Sequence, residues 1–242
     1  MGEKMESCLA GAALFAAFLE IAFTIASFGQ MPGGISMNFS MMNSYTHVLF
    51  LAIAHVLTGR AVLAYRVGRE DTTMSMVNDH ASRHTLAILC IIVSYVALGH
   101  AGFRDSPPSY MMLIVQGLYF IMYLGTAVLS YFPKLFSDHL LSNGVKAHIQ
   151  IGRIFWLLHS LQVLYSMYYF GRNAGNFGCI IFCSHNYETY FHMALLFTIL
   201  ATALIYYTLV HRPAPRVHLK ESWEYGKGLI HTEHQNLARG SH

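Results

Sequence analysis

Charge is what this sequence has least of. Only 11% of its 242 residues are Asp, Glu, Lys or Arg, against 55% hydrophobic, whereas soluble domains carry about 25% charged residues. That deficit excludes an ordinary water-soluble domain. The net charge of +3 is small, and there is no basic tract, no Gly-rich phosphate loop and no zinc-finger spacing, so nucleic acid is not an expected partner. Four cysteines are too few for a disulfide-framework protein of this length. No small-residue cleavage site follows the first apolar run, which reads as a retained helix rather than a removed signal.

What the chain does have is long apolar runs. Six are long enough to cross about 30 Å of hydrocarbon, over approximately 8–29, 43–65, 84–103, 110–132, 147–170 and 188–210. The six prolines, at 32, 107, 108, 133, 213 and 215, fall outside or just beyond these runs. Proline removes a backbone donor and breaks helices, so its placement supports the same boundaries independently of hydropathy. In lipid such runs are helical. The expected fold is therefore all-α: a polytopic six-helix membrane bundle over residues 1–210, followed by a polar tail over 211–242 whose last residues resemble a tag remnant.

Orientation follows from the basic residues. With the N-terminus inside, the inner segments hold Lys4, Arg66, Arg69, Arg83, Lys134, Lys146 and the tail's Arg212, Arg216, Lys220, Lys227 and Arg239, while the outer loops hold Arg104 and Arg172. Both termini are expected on the inner side of a membrane.

Against this apolar background stand 15 histidines, as many as Lys and Arg together. Each polar group within a span costs about 2.5–3.5 kcal/mol at the centre and needs a reason. His47, His100 and His192 fall at one height, roughly 5 Å below the outer edge at 1.5 Å per residue. Three imidazoles at one level suit a haem b or a transition metal, since imidazole ligates both, and an open three-histidine metal site suits them best. Packing or loop hydrogen bonding is the competing explanation. Deeper lie Glu20, His55 and His159, where a carboxylate beside an imidazole marks either a proton path or static polar glue. Arg60 and Arg153 lie in the inner halves of their helices, where they either snorkel or receive an anion. His84 and His148 begin their runs at the inner edge. The fourth run carries no histidine, which speaks against a two-haem arrangement. Cys179, Cys183 and His185 in the last outer loop suit a local disulfide or a Cys-x3-Cys-x-His metal site, with free thiols on a short amphipathic turn as the default reading.

His100 followed by Asp105-Ser106-Pro107-Pro108, Gly152-Arg-Ile-Phe-Trp156, Phe191-His192, and Asn43 with His47 together resemble the transmembrane-protein-45 family, and Glu20 is similar to an acidic residue of that family's preceding helix. The resemblance covers about residues 10–212 through short motifs. It departs from the family in having six rather than seven helices and a less histidine-rich segment near the Pro-Pro. It implies a layout like that of membrane b-type cytochromes and adds weight to His47, His100 and His192.

Three functions are consistent with these features: a redox or metal-binding membrane protein using the outer histidines, a non-catalytic subunit that partners other membrane proteins in the bilayer, and a channel or transporter lined by Glu20, His55, Arg60 and His159.

Overall fold

The computed structural model describes residues 2–29, 39–67, 73–102, 105–132, 135–172 and 185–211. These form α1 (Gly2–Gly29), α2 (Phe39–Val67), α3 (Thr73–His100), α4 (Pro107–Tyr131), α5 (Asp138–Arg172) and α6 (His185–His211). The tail beyond His211, Cys179, Cys183 and the side chain of His185 lie outside the described residues.

Helix limits follow the local chemistry. The chain enters α4 through Pro107-Pro108, at the first turn, where a missing amide hydrogen costs nothing. At the end of α3 the amide of Ala101 still donates to Ala97 O (2.9 Å). Gly102 then takes φ +85°, a left-handed conformation that glycine adopts without a Cβ penalty and that stops the helix.

Five of the helices are long and apolar enough to cross a bilayer, over Cys8–Ser27, Met42–Ala64, Val77–His100, Pro107–Leu129 and Thr189–His211. Six such spans are expected from the sequence. The difference is α5, the longest helix at 35 residues, whose Gln150, Arg153, His159, Ser160, Gln162 and Ser166 dilute its apolar content. The protein is a multi-pass integral membrane protein built wholly of helices among the described residues.

Side-chain distribution follows from the solvent being lipid. Large apolar groups face outward, as with Phe15, Phe18, Ile114, Ile121 and Ile154. The interior holds small and polar residues: on α1, Ala10, Ala13, Ala16, Ala17, Glu20, Thr24 and Ser27 are all buried. Between helices in lipid, association relies on close packing and hydrogen bonds rather than on expelling apolar surface from water. The alanine face of α1 accordingly meets α6, with Ala16 and Ala17 packed on Ala201 and Ala13 beside Ile205 and Leu209.

Cross-links fix the register. His47 meets Ser94 and His80 meets Ala61, so α2 and α3 are antiparallel. Gln116 meets His159 and Thr126 meets His148, so α4 and α5 are antiparallel as well. Phe23 packs on Tyr190 and Phe197 while Ala13 reaches Leu209, which sets α1 against α6 in the same sense. The start of α1 and the end of α6 thus share one end of the bundle.

Candidate functional site

The centre of the bundle is organised by one carboxylate. Glu20 of α1 is fully buried, and His55 of α2 places Nδ1 2.9 Å from one of its oxygens and 3.2 Å from the other. An ionised carboxylate accepts only, so the Nδ1–H donates and His55 Nε2 is left as an acceptor. Thr202 of α6 stands 3.1 Å from that nitrogen and donates its hydroxyl hydrogen to it. Three helices are tied together through one imidazole. One other carboxylate among the described residues is paired with a basic side chain, Asp79 with Arg83 at the surface of α3.

His55 is also flanked by rings of α5. Trp156 stacks on it at 6.1 Å between centroids and 16° between planes, and His159 lies 6.1 Å away. The tautomer of His159 follows from its neighbour. Gln116 Nε2 of α4 can only donate, and it stands 2.7 Å from His159 Nδ1 and 2.6 Å from Gln162 Oε1. His159 Nδ1 must therefore accept, and the ring hydrogen of the neutral imidazole sits on Nε2. Gln162 Nε2 passes the network on to Ser166 Oγ at 3.1 Å. His159 Nε2, Trp156 Nε1 and Gln116 Oε1 are buried with no protein partner. A buried donor with no acceptor costs about 1–3 kcal/mol, which polar interiors commonly offset with bound water.

From His159 a line of polar rings descends towards the end of the bundle where α3 starts. Tyr119 of α4 stacks on His159 with centroids 6.3 Å apart, and its hydroxyl is hydrogen-bonded to His84 Nδ1 of α3. His84 lies edge-on to His80 at 4.5 Å, and His80 lies 6.0 Å from His148 of α5. His80 Nδ1 donates to Ala61 O (2.8 Å), and Thr126 Oγ1 holds His148 Nδ1 at 3.0 Å. Ala61 sits below His55 on α2 by about 9 Å at 1.5 Å per residue. Five helices contribute to a path from the buried carboxylate to this imidazole cluster.

His47, His100 and His192 are arranged differently. His47 is fully buried, with Nδ1 2.9 Å from Ser94 Oγ and 3.1 Å from Ser94 O, while the Ser94 hydroxyl donates to His47 O at 2.8 Å. It clamps α2 to α3. His100 and His192 both have exposed side chains. Among the described residues no three His, Cys, Asp or Glu side chains are grouped to hold a metal ion, so the equal heights of His47, His100 and His192 do not bring them together as a three-ligand centre. Arg60 is exposed, as a snorkelling side chain would be, and half-buried Arg153 keeps Nε without a partner.

Glu20, His55 and His159 are the sequence candidates that do meet. Sequence reasoning missed Thr202, Tyr119, His80 and Ser94. Periodicity carried no sign of the first two, since a threonine or tyrosine in an apolar run is ordinary. His80 was discoverable, because it lies one helical turn before His84 on the same face. The absence of histidine from α4 is filled by partners for histidine, since Gln116, Tyr119 and Thr126 each contact one.

No protein-family model matches this chain, and no curated protein matches it.

Proposed function

We propose that this protein carries protons within the membrane, along the line that begins at Glu20 and His55 and runs through His159, Tyr119 and His84 to His80 and His148. The observation that carries the reading is the fully buried Glu20–His55 pair, 2.9 Å apart, adjoining four further imidazoles. A carboxylate and an imidazole inside a span are costly, and strings of Asp, Glu and His in membrane helices characteristically relay protons. Imidazole suits the task because it accepts on one nitrogen while donating from the other, and its unperturbed affinity lies near neutral pH.

Three steps of the line, His55 to His159, His159 to Tyr119 and His80 to His148, have ring centroids about 6 Å apart. One water is enough to bridge such a separation, and the unpartnered Nε2–H of His159 offers a donor to it. All six helices cross the bilayer in this reading, with α5 shielded by its neighbours where its polar face is buried. Both termini and the His80–His84–His148 cluster face the inner side, in keeping with the excess of Lys and Arg in the segments at that end.

The test is proton flux in liposomes containing the full chain, with an imposed pH difference and the membrane potential clamped. The wild type collapses the gradient faster than protein-free liposomes, and Glu20→Gln slows that component at least tenfold. Wild-type flux equal to the protein-free rate, or flux untouched by Glu20→Gln, would overturn the proposal.

A further inference from the structure

Thr202 sets the central site apart from a simple ion pair. The other buried threonines, Thr24, Thr58, Thr198 and Thr208, each give their hydroxyl to a carbonyl of their own helix, the usual arrangement in membrane helices, with Thr198 also reaching Met167 Sδ of α5. Thr202 gives its hydroxyl to His55 Nε2 instead, 3.1 Å away on another helix. The three groups then stand in a fixed order. A buried carboxylate holds Nδ1–H of an imidazole, and the opposite nitrogen of the same ring accepts from a hydroxyl. That is the arrangement in which a general base activates a nucleophile while a third group orients the base.

Two further observations fit acyl chemistry. Trp156, stacked on His55, keeps its Nε1–H buried without an acceptor, and so does His159. Unpaired donors on the rings that flank the base are groups of the kind a developing oxyanion requires. The indole nitrogen lies within 4.0 Å of the place a Cβ would occupy on Gly59, which also touches Ile205, one turn along α6 from Thr202. Thr202 is 8% exposed and borders the lipid-facing stripe of α6, with Ile199 at 48% and Tyr206 at 45% beside it.

We propose that Glu20, His55 and Thr202 form a nucleophilic triad that acts on the acyl group of a membrane-dissolved ester or thioester. The site lies inside the apolar bundle, so its substrate must partition into lipid. In the first step Thr202 Oγ bonds to the carbonyl carbon while its proton passes to His55 Nε2, and the Glu20 carboxylate stabilises the resulting imidazolium. The adduct collapses, the bond from carbon to the alcohol or thiol breaks, and the leaving group takes the proton from Nε2. The acyl group is then on Thr202. Water gives a proton to Nε2 as its oxygen attacks that ester; the proton returns to Thr202 Oγ as the acid leaves. This activity goes beyond proton conduction; it shares Glu20 and His55 with it and draws on His159 as a donor.

The experiment uses the purified full chain in lipid nanodiscs, a long-chain alkyl fluorophosphonate as probe, and mass spectrometry of the α6 peptide. The wild type is expected to carry the phosphonyl group on Thr202, and Thr202→Ser to label several-fold faster because a primary hydroxyl is less hindered. Thr202→Ala should carry none, and His55→Gln should label at least a hundredfold more slowly, with elution and helicity checked for each variant. An unlabelled wild type, labelling elsewhere on α6, or wild-type rates in His55→Gln would overturn the triad. The two proposals fail separately. Labelling without wild-type proton flux leaves the triad and removes the relay, and flux without labelling does the reverse.

Discussion

The Glu20–His55 pair makes a quantitative demand on stability, and a double-mutant cycle reads it. Glu20→Leu leaves the His55 Nδ1–H unpaired at a site with no exposure, at about 1–3 kcal/mol. His55→Leu strands the Glu20 carboxylate, at about 2.5–3.5 kcal/mol on insertion scales. The double variant strands neither group, and Thr202 is free to give its hydroxyl to the carbonyl four residues back on its own helix, as Thr198 does. Its cost should be no greater than that of the worse single change. The singles together exceed it by a coupling of about 2 kcal/mol, the quantity the cycle isolates. An ordinary interhelical hydrogen bond in a membrane averages about 0.6 kcal/mol, because the unfolded helices find other partners in lipid. The assay is reversible unfolding of the full chain in mixed micelles by increasing sodium dodecyl sulfate, followed by circular dichroism. A coupling at or below about 0.6 kcal/mol would refute the reasoning, because the pair would then be no more than neutral glue.

Two other perturbations probe the scaffold around the site. Gly59→Ala places a Cβ 2.7 Å from Ile205 Cδ1, an overpacking expected to cost about 1–3 kcal/mol; Ile205→Val removes that methyl and should recover part of the loss in the same unfolding assay. Gln116→Leu leaves His159 Nδ1 and Gln162 Oε1 unpaired, at about 1–3 kcal/mol for each group. Combining it with Gln162→Leu should cost less than the sum, and strict additivity would show that the two amides do not interact.

The architecture was largely legible because lipid imposes it. Apolar runs bounded by prolines located all six helices, and an even number of antiparallel helices brings both ends of the bundle's chain to one side. The polar fifth helix was less legible, because Gln150, Arg153 and Gln162 lower its apolar share while burial of Gln162, Ser160 and Ser166 against neighbours makes them tolerable. Height along a helix was a sound coordinate and an incomplete one. It put Glu20, His55 and His159 within reach of each other, and they meet. It also put His47, His100 and His192 on one level, where rotation about the helix axis buries the first and leaves the other two exposed. Equal height fixes two positions along parallel helix axes and leaves open which way each side chain faces. The roles of Thr202 and Tyr119 depend on rotation alone, which is why no spacing pointed to them.

A proton that enters at Glu20 has to pass His84 if the line is continuous, and a paired comparison of variants reads that continuity. Proton flux is recorded in the same liposome preparation for the wild type, Glu20→Gln on α1 and His84→Gln on α3, each verified as folded and equally reconstituted. Although the two residues share no contact, either change is expected to reduce the protein-dependent flux at least tenfold. Flux that falls with Glu20→Gln and stays at the wild-type rate with His84→Gln would contradict it.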